Sequence, residues 1–270
     1  MTAVLEATAV SVRFDDARQA LDAVSLALAP GERVALLGAN GSGKTTLLYV
    51  LAGILAPSTG TVRLHGQPSD ASSHQQRRWR AAIGMVLSDV DDQLIAPIVR
   101  DDVAFGIRNA ATRSTQATEQ AIVQLVDDIL AQLGISSLAD RPIHTLSLGE
   151  RRRVALAGVL VMRPEIILLD EPTANLDRRA RVALRALLEH ASDDRRAVCL
   201  ATHDTTFAWA WATRVVVLER GRILAEGPTQ VILRDSALLS RAELDAPRQD
   251  LWHQDAPTTD SANILESEAH

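Results

Sequence analysis

From residue 38 the chain reads Gly38-Ala39-Asn40-Gly41-Ser42-Gly43-Lys44-Thr45-Thr46, and no other stretch restricts the possible folds as much. Glycines at 38, 41 and 43 admit backbone conformations closed to other residues, so the segment reads as a tight loop. Before it, Arg33 to Leu37 is a short apolar run suited to a buried strand; after it, Lys44 to Ala52 reads as a helix stopped by Gly53. Strand, glycine loop and helix, with Gly-Lys-Thr closing the loop, form the P-loop pattern for cradling phosphates. Backbone N–H groups from Gly41 to Thr46 would converge on one concavity at a helix N-terminus, where the dipole favours anions. Lys44 would reach between the β- and γ-phosphates, and the Thr45 hydroxyl would meet Mg2+.

Composition sharpens this reading. Of 28 basic residues 27 are Arg, and Lys44 is the only lysine. A compact ammonium on a flexible stem suits that position as arginine's planar fork does not. The net charge of -6 is local: residues 242–270 hold seven acids and one Arg, so residues 1–241 balance to zero. That balance speaks against a broad nucleic-acid footprint. No apolar run reaches the 18 or so residues of a membrane span and no signal peptide opens the chain, so a cytoplasmic protein is expected. Cys199, the single cysteine, sits in an apolar run and reads as a buried small hydrophobe.

Leu5 to Val12 and Ala23 to Leu28 read as two antiparallel strands; Thr61 to His65 and Ile83 to Leu87 are further strands. Helices dominate from Ser88 to about Arg163. Glu119 to Leu133 sets Ile122, Leu125, Ile129 and Leu133 on one face, with Val126 and Leu130 beside them, and Glu150 to Val161 is another helix. A buried strand runs from Glu165 to Asp170, then come a helix (Arg178 to His190), a strand (Ala197 to Thr202) and a hairpin turning at Gly221. The expected fold is α/β: a P-loop NTPase core (1–87 and 164–233) with an antiparallel β subdomain and an inserted helical subdomain (88–163). Residues 234–270 are polar and acidic and read as a loosely attached tail. The arginine runs at Arg77 to Arg80 and Arg151 to Arg153 read as solvated helix faces.

Four apolar residues, Ile166 to Leu169, lead into Asp170-Glu171. This places two acids at the carboxyl end of a strand, where open α/β sheets bind ligands. Asp170 would hold Mg2+ and Glu171 would polarise the attacking water. Together with Leu146-Ser147-Leu148-Gly149-Glu150, Ala174-Asn175-Leu176-Asp177 and Thr202-His203-Asp204, these motifs make the chain resemble ATP-binding-cassette ATPases from about residue 5 to 233. The resemblance implies two subunits paired head to tail, identical or not. Ser147, Leu148, Gly149 and Glu150 of one would close on the ATP of the other, with Asp177 across the interface. His203 would sense the γ-phosphate, and Phe14 would stack on adenine.

Two positions depart from the family. Ser88 stands where a glutamine usually meets Mg2+, so ligation there would pass through water or be lost. Leu148 replaces the first signature glycine, adding bulk and resisting positive φ. Hydrolysis is expected to survive, slowly. Asp91-Asp92-Gln93-Leu94, Asp102 to Gly106 and Val154 to Leu160 resemble the energy-coupling-factor importer ATPases, the group for cobalt, nickel, biotin and other vitamins. This implies a peripheral subunit on the cytoplasmic membrane face, partnered by a transmembrane coupling subunit and a separate substrate-capture protein. Two other readings stay open: a weakly hydrolytic regulatory cassette in a heterodimer, and a soluble cassette acting on nucleic acid or ribosomes.

Overall fold

The computed structural model describes residues 3–248, apart from 16–17, 69–72, 115–117, 175 and 193–194. In chain order its elements are β1 (Leu5–Arg13), β2 (Gln19–Leu28), β3 (Arg33–Leu37), α1 (Lys44–Leu51), β4 (Thr59–Leu64), β5 (Gln67–Pro68), α2 (Ser73–Ala82) and β6 (Ile83–Val86). The helical insert follows as α3 (Val99–Ser114), α4 (Glu119–Gln132) and α5 (Leu148–Leu160). Then come β7 (Ile166–Asp170), α6 (Arg178–Ala191), β8 (Ala197–Thr202), α7 (Thr205–Trp211), β9 (Arg214–Glu219), β10 (Arg222–Pro228), α8 (Thr229–Ile232) and α9 (Ser236–Arg241).

Two sheets result. The larger has the order β10-β9-β3-β8-β7-β6, parallel except for the hairpin strand β10. Its central strands β7 and β8 are buried at every residue, because neither has a polar face to turn to water. Alternate residues feed opposite cores: Ala35, Leu37, Ile167 and Leu169 pack toward the helical insert, whereas Val34, Leu36, Ile166 and Leu168 pack toward α1 and the smaller sheet. The smaller sheet, β2-β1-β4-β5, is antiparallel. Its weak alternation in β1 has a local cause: Ala9 takes φ 46° and the register with β2 slips between Ala7 and Val10, so Val10 and Val12 return to the core.

The insert is built from α3, α4 and α5, with Ile122, Val126, Ile129 and Leu130 of α4 turned inward. Thr118 caps α4 by accepting from the Ala121 N–H. Within the arginine run of α2, Trp79 is buried and its indole N–H donates to the Leu51 carbonyl at 3.0 Å, which anchors that helix to α1. Trp211 is buried and Trp209 only partly so, as their two-residue separation on α7 requires. Burial pushes the Cys199 thiol up to about 12.

One expectation is corrected. Residues 234–248 are not loosely attached: α9 carries Leu239 into the main core, and Ala242 and Leu244 follow it. The Thr205 hydroxyl donates to the Asp245 carbonyl at 2.7 Å, and the Arg248 N–H donates to Thr206 Oγ1 at 3.0 Å. A few correctly spaced apolar residues outweigh a polar average. The acidic stretch from 249 and Asn175 lie outside the described residues.

Candidate active site

At the carboxyl end of β3 the backbone turns through Gly38 into the loop and enters α1 at Gly43. Gly43 is the helix N-cap at φ 108°, and a Cβ there would stand 2.6 Å from the Ala20 carbonyl oxygen. Gly41, at φ 79°, faces open space, so conformation alone selects glycine. Lys44 is only 6% exposed; its Nζ donates to the carbonyls of Gly38 (2.8 Å) and Ala39 (3.2 Å) and lies 3.4 Å from Glu171 Oε1.

The Thr45 hydroxyl is 3.1 and 3.0 Å from the two carboxylate oxygens of Asp170. Asp170 is 2% exposed, and burial pushes its carboxyl above the ordinary range, aided by the charge of Glu171. Hydroxyls of Thr45 and Ser88, and the Lys44 charge, pull the other way. The Gln93 side chain is engaged elsewhere: it accepts from the Leu87 N–H at 3.0 Å and donates to the Met85 carbonyl at 3.1 Å. Thr45, Asp170 and Ser88 form an all-oxygen donor set, the chemistry that suits a small hard cation such as Mg2+.

Glu171 follows β7 at φ 45°, a conformation uncommon for a residue with a side chain. Its N–H donates to the Ala201 carbonyl at 2.8 Å on β8, and Oε2 is 3.1 Å from Nδ1 of the exposed His203. Lys44, Glu171 and His203 thus form one polar row, although they come from the start of α1 and the ends of β7 and β8. Among the described residues, Ser42 Oγ and Glu171 Oε1 are buried without a hydrogen-bond partner, as suits a pocket built for a polar ligand.

Phe14 rests against the second core cluster, with the Arg18 guanidinium 5.1 Å above its ring. Asp177 caps α6 by accepting from the Ala180 N–H at 2.8 Å. The signature lies on the helical insert, and α5 begins at Leu148, two residues earlier than expected, because Ser147 is its N-cap. Ser147 and Glu150 form a capping box: Ser147 Oγ accepts from the Glu150 N–H (3.3 Å), while Glu150 Oε2 accepts from the Ser147 N–H (2.7 Å) and hydroxyl (2.9 Å). Beyond the helix's own ladder, the hydrogen bonds and ion pairs of this motif go to itself, to Ile143, to Arg151 and to Arg141, none to the glycine loop, among the described residues. The expected strain at Leu148 is also corrected, since it does not take positive φ and packs partly buried on the main core.

The reading of Arg151 to Arg153 as a solvated face fails. Arg151 pairs with Asp91 at 2.8 Å, and Arg152 donates to the carbonyls of Pro172 and Ala174, just beyond Asp170 and Glu171. Asp102 was likewise invisible as a structural residue: it is buried and accepts from the N–H groups of Ile95 (2.8 Å) and Ala96 (2.9 Å). An arginine run and an acid just ahead of the apolar stretch Val103 to Phe105 are the only signals.

A glycine loop and two acids at the strand ends of this sheet define a P-loop nucleotide hydrolase. The ABC transporter family model matches residues 21–174. The chain is 43% identical to the cobalt import ATP-binding protein CbiO of Rhodobacter capsulatus, over 92% of this chain and 86% of that one. To the energy-coupling factor transporter ATP-binding protein EcfA2 of Methanospirillum hungatei it is 37% identical, over 92% of this chain but 61% of that longer one. The solved structure of cbiO1 from Clostridium perfringens, part of the ABC transporter complex cbiONQ, superposes with a TM-score of 0.78 at 34% identity, covering 89% of this chain and 94% of that one. The chain belongs to the ABC transporter family and is one of its ATPases, close to the CbiO and EcfA subunits.

Proposed function

We propose that this chain is the ATP-hydrolysing subunit of an energy-coupling-factor importer, coupling dimer closure to uptake of a transition-metal ion, cobalt or nickel, or of a vitamin. The observation that carries the membrane partnership is the apolar surface after β6. Ile95 is 61% exposed and Phe105 47% exposed, on a loop and helix that Asp102 pins together. Exposed large apolar side chains on a braced segment suit contact with a partner helix. Among the described residues no helix is long and apolar enough to cross a membrane.

At the site, Lys44 and the N–H groups from Gly41 to Thr46 bind the phosphates, while Phe14 stacks on the base after Arg18 moves from its ring. Glu171 orients and polarises water, and His203 reports the γ-phosphate to that carboxylate through their contact. Thr45, Asp170 and, through its shorter hydroxyl, Ser88 would hold Mg2+, which supplies charge neutralisation at the phosphates. A second ATPase subunit, identical or homologous, completes the site with its Ser147, Leu148, Gly149 and Glu150, and Asp177 lies across that interface. ATP closes the dimer, and hydrolysis reopens it.

Co-purification with membrane subunits, followed by uptake assays against cobalt, nickel and vitamins, tests this reading. ATP-dependent uptake of one of them is expected; a chain that associates with no membrane subunit and supports no uptake would contradict it. A weakly hydrolytic regulatory role gains its support from Ser147, whose hydroxyl is tied to Glu150. Robust turnover by the pure chain excludes that role.

A further inference from the structure

The loop from Glu171 to Asp177 holds a strained residue at its head, and two separate bodies hold the loop. From the core, the Ala201 carbonyl accepts from the Glu171 N–H, and Thr173 Oγ1 meets Thr202 Oγ1 at 2.9 Å. From the helical insert, Arg152 donates to the carbonyls of Pro172 (3.4 Å) and Ala174, while Arg181 of α6 holds the far end of the loop by donating to the Leu176 carbonyl at 3.1 Å. A non-glycine residue at φ 45° keeps that conformation only while its surroundings enforce it.

Arg152 lies one turn into α5, the helix whose first residues form the signature. Its half-buried guanidinium loses hydration, which holds its acidity above that of a free arginine, and the carbonyls compensate with charge-assisted hydrogen bonds. Both bonds come from the one terminal nitrogen Nη1, whose two N–H groups serve two neighbouring acceptors; a glutamine there would be shorter and uncharged, and a lysine would bring a charge on a more strongly hydrated ammonium. The slot is lined by Gly149, Leu156, Pro172, Leu176 and Asp177, so it touches the signature helix and the loop beyond Glu171 at once.

The geometry points to Arg152 as a positioning residue for hydrolysis: it ties the signature helix to the backbone of the catalytic loop, so that the attitude of the helical insert sets the aim of Glu171. The row Lys44–Glu171–His203 would respond to Arg152 through the backbone alone, which separates its effect on turnover from nucleotide binding. The inference rests on the hydrolytic roles proposed for Glu171 and Lys44, and not on any cargo.

Steady-state ATP hydrolysis by the full purified chain tests it with Arg152→Lys, Arg152→Gln and Arg152→Met, alongside thermal melting and titration with a fluorescent ATP analogue. Expected is a kcat order of wild type, Lys, then Gln and Met, the last two down about tenfold, with KM and analogue affinity within twofold. Should Gln and Met fail to fold, Arg152→Lys against wild type gives the same comparison, with a two- to fivefold loss of kcat expected. The inference is overturned if folded variants keep wild-type kcat, or if KM and analogue affinity worsen in step with it. A wild-type chain that binds the analogue and turns over no ATP would instead break the hydrolytic reading itself.

Discussion

The phosphate loop and the signature are both helix starts, yet they are built on opposite principles. Around α1, Lys44 and Asp170 are buried, and two polar atoms nearby, Ser42 Oγ and Glu171 Oε1, make no hydrogen bond among the described residues. At α5, Ser147 and Glu150 satisfy one another on the surface, and the helix start is complete without any ligand. The first arrangement keeps unfavourable charge in the core for the sake of a ligand; the second is a stable surface feature with its donors turned inward. Under the proposed function, a chain containing both would carry two different halves of a site. In the proposed dimer, the signature's capping bonds must loosen before Ser147 can serve a phosphate.

Substitutions can break this contrast. The largest effect is expected from Asp170→Asn. Hydrolysis should fall about a hundredfold, the scale of losing one preorganised electrostatic group, while the nucleotide-free chain melts higher. The sign follows from the raised carboxyl: folding favours its protonated form, so stability drops as pH rises from the ordinary carboxylate range through the raised value. Removing the ionisable group lifts that loss at neutral pH, worth about 3 °C in a chain of this size if it amounts to about 1 kcal/mol. An unchanged or lower melting temperature would show that Asp170 is no burden to the fold.

Next in size is Glu150→Gln. Its amide oxygen can keep the bond from the Ser147 N–H, but the negative charge facing a partner's phosphate disappears. The apparent KM for ATP should fall about threefold at low salt, an effect of the size expected for screened like charges. Glu150 is held below the usual carboxylate range by the Ser147 N–H first and its hydroxyl second. Its capping contribution is therefore present above the ordinary value and lost as pH falls through the lowered one. A KM that rises would place Glu150 among the groups that assist ATP binding.

The smallest effect belongs to Leu148→Gly. Because Leu148 already sits in helical geometry on the core, glycine should cost about 1 kcal/mol of helix stability and leave turnover within twofold. A several-fold gain in turnover would show that the leucine's bulk, and not its backbone, had been limiting.

Much of this was legible in the residues. The strands β3, β7 and β8 announce themselves as unbroken apolar runs because both their faces are covered, and the phosphate loop and the acids after Leu169 are local patterns whose spacing survives in sequence. What escaped detection depends on distant contacts. Arg152 meets carbonyls 20 and 22 positions away, so its run reads as solvated until α5 and the loop after β7 are brought together. The start of α5 at Leu148 was displaced by the charged Glu150, which looks like a first helical residue and is the third, reaching back to its cap. Docking of residues 236 to 248 hinges on Leu239 and Leu244, too few to move a compositional average.

The central claim is that the buried phosphate loop is half of a site completed by a second signature. Sizing chromatography of Glu171→Gln with and without ATP and Mg2+ tests it most directly. A shift from monomer to dimer on adding ATP, absent with ADP, is the predicted result; equal monomer elution in every condition would contradict it.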